Sequence, residues 1–105
     1  MNSTEKIVDT VYHALKAVDG RPKQPETERI VEQACDTCTD FLDALPSPPE
    51  GKLRTLEISS EYLFFTAIPA VLEDNIEDFK DFIHELASSR EKVKEFLLDS
   101  EWRIV

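Results

Sequence analysis

Apolar residues recur along this chain at intervals of three and four, the period that gathers side chains on one face of an α-helix. The first such stripe is Ile7, Val8, Val11, Tyr12, Leu15 and Val18. Ser3 or Thr4 is placed to cap it. Asp19 and Gly20 end it, because glycine enters the left-handed conformation just past a helix without a Cβ clash. Pro22 and Pro25 cannot continue a helix, which predicts a loop. A second helix is expected from about Glu26, with a buried stripe of Ile30, Val31, Ala34, Cys35, Cys38, Phe41, Leu42 and Leu45. Pro46, Pro48 and Pro49 stop it, and the short loop that follows predicts an antiparallel return.

The next stretch is less regular. Leu53, Leu56, Ile58, Tyr62, Leu63, Phe64 and Phe65 fit neither the helical nor the strand period, so two strands about a turn at Ser59 and Ser60 are the alternative reading. Helix is favoured, since a lone hairpin would lack a sheet partner in the rest of the chain. Residues 62–72 form the longest apolar run and are expected to be the buried central helix, kinked or ended near Ala67 or Ile68 by Pro69. Ile76, Phe79, Ile83 and Leu86, widened by Phe82, mark a fourth helix. Ser88, three residues before Glu91, predicts a capping box that restarts a short helix through Val93, Phe96, Leu97 and Leu98. Trp102, Arg103, Ile104 and Val105 make an apolar-tipped tail. The pattern as a whole predicts an all-α protein: an antiparallel four-helix bundle with a short C-terminal helix and tail, folded as one domain over residues 1–105.

Composition narrows the function classes. At 105 residues there is room for a single core, and 41% hydrophobic content is enough to build it without a metal or a disulfide framework. Twenty-two acidic residues against 12 basic ones give a formal charge of −10, a surface that repels nucleic acid and anionic lipid and favours a protein partner. The apolar run is shorter than the roughly 18 residues a membrane-spanning helix needs, and Pro69 interrupts it, so no direct membrane insertion is expected. Residues 1–6 are polar with no apolar segment behind them, and the two cysteines do not suggest a secreted scaffold. The expected location is cytoplasmic and the expected state a monomer.

Three constellations have the residue types that chemistry uses. Cys35 and Cys38 are spaced like a redox pair, but they fall inside a helix on its apolar face, where no helix N-terminus lowers the thiol pKa. Asp81 and His84 stand three apart in an acidic face with Glu77, Asp78 and Glu85, yet no second helix offers a matching pair for a metal. His13 lies one turn after Asp9, with no nucleophile nearby in sequence. The reading is therefore a non-enzyme, with no catalytic residue, metal ligand or cofactor.

The opening Glu5, Lys6, Ile7, Val8, with Tyr12 and Leu15, resembles the first helix of the class IIa, pediocin-like bacteriocin immunity proteins. The hexamer Tyr62, Leu63, Phe64, Phe65, Thr66, Ala67 resembles that family's third-helix signature, and the stretch from Ile76 through Leu86 to Arg90 is similar to its fourth helix. The chain departs from the family in charge, since many members are lysine-rich. The resemblance implies a non-catalytic bundle that protects a producing cell from its own bacteriocin. It would act at the cytoplasmic side of the mannose phosphotransferase permease once the toxin has engaged it. It also implies that the C-terminal part, here residues 89–105, selects the bacteriocin. Together with the build of the tail this makes Val93, Phe96, Leu97, Trp102, Arg103 and Ile104 the expected partner-binding residues. The alternative is an acidic helical protein that inhibits a basic toxin or nuclease directly, through the carboxylates of residues 74–85.

Overall fold

In the computed structural model, which describes residues 3–21, 24–46 and 50–99, the first apolar stripe forms helix α1, Ser3–Val18. Ile7, Val8, Val11, Ala14, Leu15 and Val18 have no exposed surface at all. All five of the other α-helices pack against α1. Its end is built as expected: Gly20 adopts φ 65°, and the Arg21 N–H donates to the Val18 carbonyl at 3.1 Å. Helix α2, Pro25–Asp43, opens with proline at its first position, where no intrahelical N–H is lost, and with Glu26 and Glu28 in the first turn. Lys6 Nζ sits 5.4 Å from the Phe41 ring centre, so the start of α1 lies beside the end of α2 and the two run antiparallel.

Gly51, at φ 58°, turns the chain into α3, Lys52–Tyr62. Residues 53–58 are helical, which settles the strand alternative in favour of helix. A π-helical turn, Leu63–Ala67, follows, and α4, Ile68–Leu72, completes a continuous rod. The interruption expected at Pro69 takes this form. Proline offers no N–H to the preceding turn and its ring crowds the carbonyl four residues back, so the turn before it widens and the Ile68 N–H reaches the Leu63 carbonyl, five residues away. Beyond Pro69 the helix resumes. Asn75, at φ 56°, then reverses the chain, and the Ile76 N–H closes the turn on the Ala70 carbonyl at 3.1 Å. Helix α5, Glu77–Ala87, and helix α6, Arg90–Leu98, pack in succession along α1 and along the rod, α6 on α3 and α5 on α4. The result is an all-α antiparallel four-helix bundle whose fourth member is broken at residues 88–89.

Several placements differ from expectation. The central helix is α1, while the rod of residues 52–72 is one wall. A bundle of this size buries only a stripe of each wall helix. Leu63, Phe64, Ala67 and Ile68 face inward, but Thr66 is exposed and Phe65 is 67% exposed. Ile76 is 41% exposed and caps α5 in an extended conformation instead of joining its apolar stripe. Ser88 belongs to the end of α5, its hydroxyl donating to the Glu85 carbonyl at 2.6 Å, and Ser89 is the N-cap of α6 without a side-chain bond.

Buried polar groups are few. The Ser60 hydroxyl donates to the Leu56 carbonyl at 2.7 Å, whereas the fully buried Ser59 Oγ has no hydrogen-bond partner among the described residues. A buried hydroxyl left unpaired costs about 1–3 kcal/mol. Ser59→Ala is therefore expected to raise the denaturation midpoint, and a fall of more than about 1 kcal/mol would contradict the burial described. Leu63→Ala should cost about 2–5 kcal/mol, because that side chain is fully enclosed. Phe65→Ala should stay within about 0.5 kcal/mol of the parent. Thermal melts of the two variants that coincide would refute this orientation of the rod.

Candidate functional site

Aromatic side chains from three elements meet in one seam on the surface. Tyr62 ends α3, Phe79 and Phe82 stand one turn apart on α5, and Phe96 lies on α6. The Tyr62 ring centre is 6.5 Å from Phe79, 6.3 Å from Phe82 and 6.4 Å from Phe96, and Phe82 meets Phe96 edge-on at 5.3 Å. Tilted and edge-to-face pairs of this kind contribute about 0.5–1.5 kcal/mol each beyond the area they bury. All four rings are only half-buried, so the seam both holds α5 and α6 to the rod and forms part of the outer surface. Phe65, three residues beyond Tyr62 on the π-helical turn, stands out from the rod into solvent. The resemblance hexamer therefore splits: Leu63, Phe64 and Ala67 build the core, while Tyr62, Phe65 and Thr66 reach the surface.

Ion pairs place α6, and with it Phe96. Arg90 Nε donates to Asp9, Arg90 Nη2 lies 3.2 Å from Glu5 Oε1, and Lys94 Nζ lies 3.1 Å from Glu5 Oε2. Lys94 and then Arg90 hold the Glu5 carboxyl below the ordinary range. Asp9 and Glu5 hold Arg90 above its own. Each contact is at the surface and weak alone. Together they fix α6 antiparallel to the first half of α1. Asp9, expected beside His13, is thus committed to Arg90, and His13 is exposed.

Of the three expected partner-binding residues among the described ones, the structure leaves one, Phe96, at a surface. Val93 and Leu97 have no exposed area and are core residues, a correction that follows from the side of α6 they occupy. Phe96 belongs to the aromatic seam. Trp102, Arg103 and Ile104 lie outside the described residues. The seam itself was missed in the sequence, although the signal was present: Tyr62, Phe79, Phe82 and Phe96 are the aromatics at the margins of three apolar stripes.

The other constellations resolve differently. His84 pairs with Asp19 at the end of α1, its Nδ1 3.0 Å from Oδ1 and 3.2 Å from Oδ2, and not with Asp81 on its own helix. Asp74, Glu77, Asp78, Asp81 and Glu85 are exposed, with Lys80 3.8 Å from Glu77 and Lys92 bonded to Glu85. No group of three or more His, Cys, Asp or Glu side chains suited to a metal occurs among the described residues, and no helix there is long and apolar enough to cross a membrane. Cys38 is buried and Cys35 half-buried, both as free thiols.

Burial pushes the Cys38 thiol up to about 11 and, more weakly, raises Cys35 as well. Near neutral pH both are thiols, the unreactive form, so labelling of the native protein by a thiol reagent should be slow compared with the unfolded chain. Because the folded state holds the Cys38 proton more tightly than the unfolded chain, the stability this group contributes is complete below the ordinary value of 9.0 and is lost as the pH rises towards about 11. Denaturation of Cys38→Ala beside the parent across that interval should show the parent losing more stability; equal slopes would remove the effect. Compared with protein families, with characterised proteins and with solved structures, the chain matches none.

Proposed function

We propose that this chain is a bacteriocin immunity protein of the pediocin-like kind, a non-catalytic bundle that binds a protein partner through its aromatic surface. The partner is the permease engaged by the toxin, met at its cytoplasmic side. The observation that carries the reading is Phe65, a large ring 67% exposed within the very hexamer that bears the resemblance. An apolar ring in water gains by being covered, and aromatic residues dominate the energetics of protein interfaces. The half-buried Tyr62, Phe82 and Phe96 add a second group of aromatic rings that reaches the surface. The antiparallel bundle supports the same reading.

A second reading rests on the exposed carboxylates of residues 74–85, which suit a basic toxin or nuclease held by charge. Salt separates the two. Binding through the aromatic surface weakens little between low and high ionic strength, whereas binding through that acidic face falls steeply.

Expression of the full chain in a bacteriocin-sensitive host should confer resistance to one or a few pediocin-like peptides. Phe65→Ala should remove the protection while the purified variant melts within a few degrees of the parent. Protection undiminished in Phe65→Ala would reject this surface, and absence of protection by the parent chain in every sensitive host would reject the immunity reading.

A further inference from the structure

Helix α2 and the rod of residues 52–72 both pack on α1 and have little contact with each other. Where they do meet the side chains are small, with Cys38 against the Ser60 hydroxyl. Towards the start of α2 a notch of about 150 Å³ opens between the two walls, bounded by Val31 on α2 and by Phe64, Ile68 and Leu72 on the rod. Phe64 and Ile68 are buried and form its floor, while the half-buried Val31 and Leu72 form its sides. A cavity of this volume holds a benzene-sized group.

Every charged side chain that lines the notch is acidic. Glu28 and Glu32 stand one turn apart on α2, which makes them neighbours on the helix surface, and Glu73 stands on the opposite wall at the end of α4. Glu32 and Glu73 are exposed, and neither forms an ion pair among the described residues. Arg29, beside Glu28 in sequence, is not part of the lining. A second copy of the chain, at net charge −10, would meet this edge with repulsion, so the complementary occupant is cationic. The carboxylates lie on two walls with the apolar notch between them. An occupant that satisfies both features carries an apolar group with positive charge on either side of it, and a simple ion does not.

We propose that the groove between α2 and the rod docks a basic peptide segment, one aromatic or aliphatic side chain entering the notch over Phe64 and Ile68 and lysine or arginine on its two flanks meeting Glu32 and Glu73. The groove is separate from the aromatic seam and from the carboxylates of residues 74–85, and its test does not depend on the immunity reading.

The probe is a capped peptide with one central phenylalanine, two lysines on each side of it and glycine elsewhere, titrated into the full chain while methyl and backbone NMR signals are followed. It should shift Val31, Ile68 and Leu72 saturably. Replacing its phenylalanine by alanine should weaken binding about tenfold or more, the effect of withdrawing an aromatic ring from water. Glu32→Gln combined with Glu73→Gln should weaken it about threefold or more, whereas Glu91→Gln combined with Glu95→Gln, an equal loss of charge on α6, should weaken it less. All four glutamates are exposed, so the melting temperature should hold in both double variants. Equal binding of the phenylalanine and alanine peptides, equal weakening by the two pairs of substitutions, shifts centred on Phe65 and Phe82, or no saturable shift at all would each overturn the proposal.

Discussion

Burial of one stripe of α1 is the constraint on which the rest of this structure depends. Six aliphatic side chains spaced by three and four are wholly withdrawn from water, and all belong to one core cluster. At roughly 25 cal/mol per Å² of apolar surface, no surface ion pair or cap in the chain contributes on that scale. The packing order follows from it. Helix α2 folds back on α1 through a short turn, and the rod 52–72 and the broken helix α5 and α6 close the remaining sides.

The break at residues 88–89 lets one sequence segment do two jobs. Helix α5 meets α4 and the end of α1, while α6 meets α3 and the beginning of α1. An unbroken helix carries a single straight stripe, whereas two short ones can each rotate to present their own. Phe82 and Phe96, from opposite sides of the break, come within 5.3 Å of each other and close on Tyr62. The pairs from Arg90 and Lys94 to α1 orient α6 for that contact. Packing and charge agree here, which is the mark of a consistently specified element.

Two surface features sit at different places on this frame. The aromatic seam belongs to the junction of α3, α5 and α6, where rings too large for the core spill onto its margin. A cleft lies at the end of α1, where Gly20 and Asn75 turn the chain in left-handed conformations.

The amino-acid sequence by itself determined the helices and, for α1 and α2, where they stop. Helical period, Gly20, Pro25 and the proline tract after α2 act over a few residues, and their effect does not need the rest of the chain. It also determined that residues 62–72 would be disturbed by Pro69, since the missing N–H is a local fact. Only the tertiary structure decided which faces were buried. Phe65 and Ile76 read as core because apolarity says that a residue can be buried, not that the bundle has space for it. Val93 and Leu97 read as contact residues and are core for the same reason. Asp9 bonds Arg90, and His84 bonds Asp19, because a charged group takes the nearest partner in space, whereas sequence proximity offers only those on its own helix. The π-helical turn likewise joins the local effect of Pro69 to the burial of Leu63 and Ala67, and which of its faces is buried is a packing demand that no single segment contains.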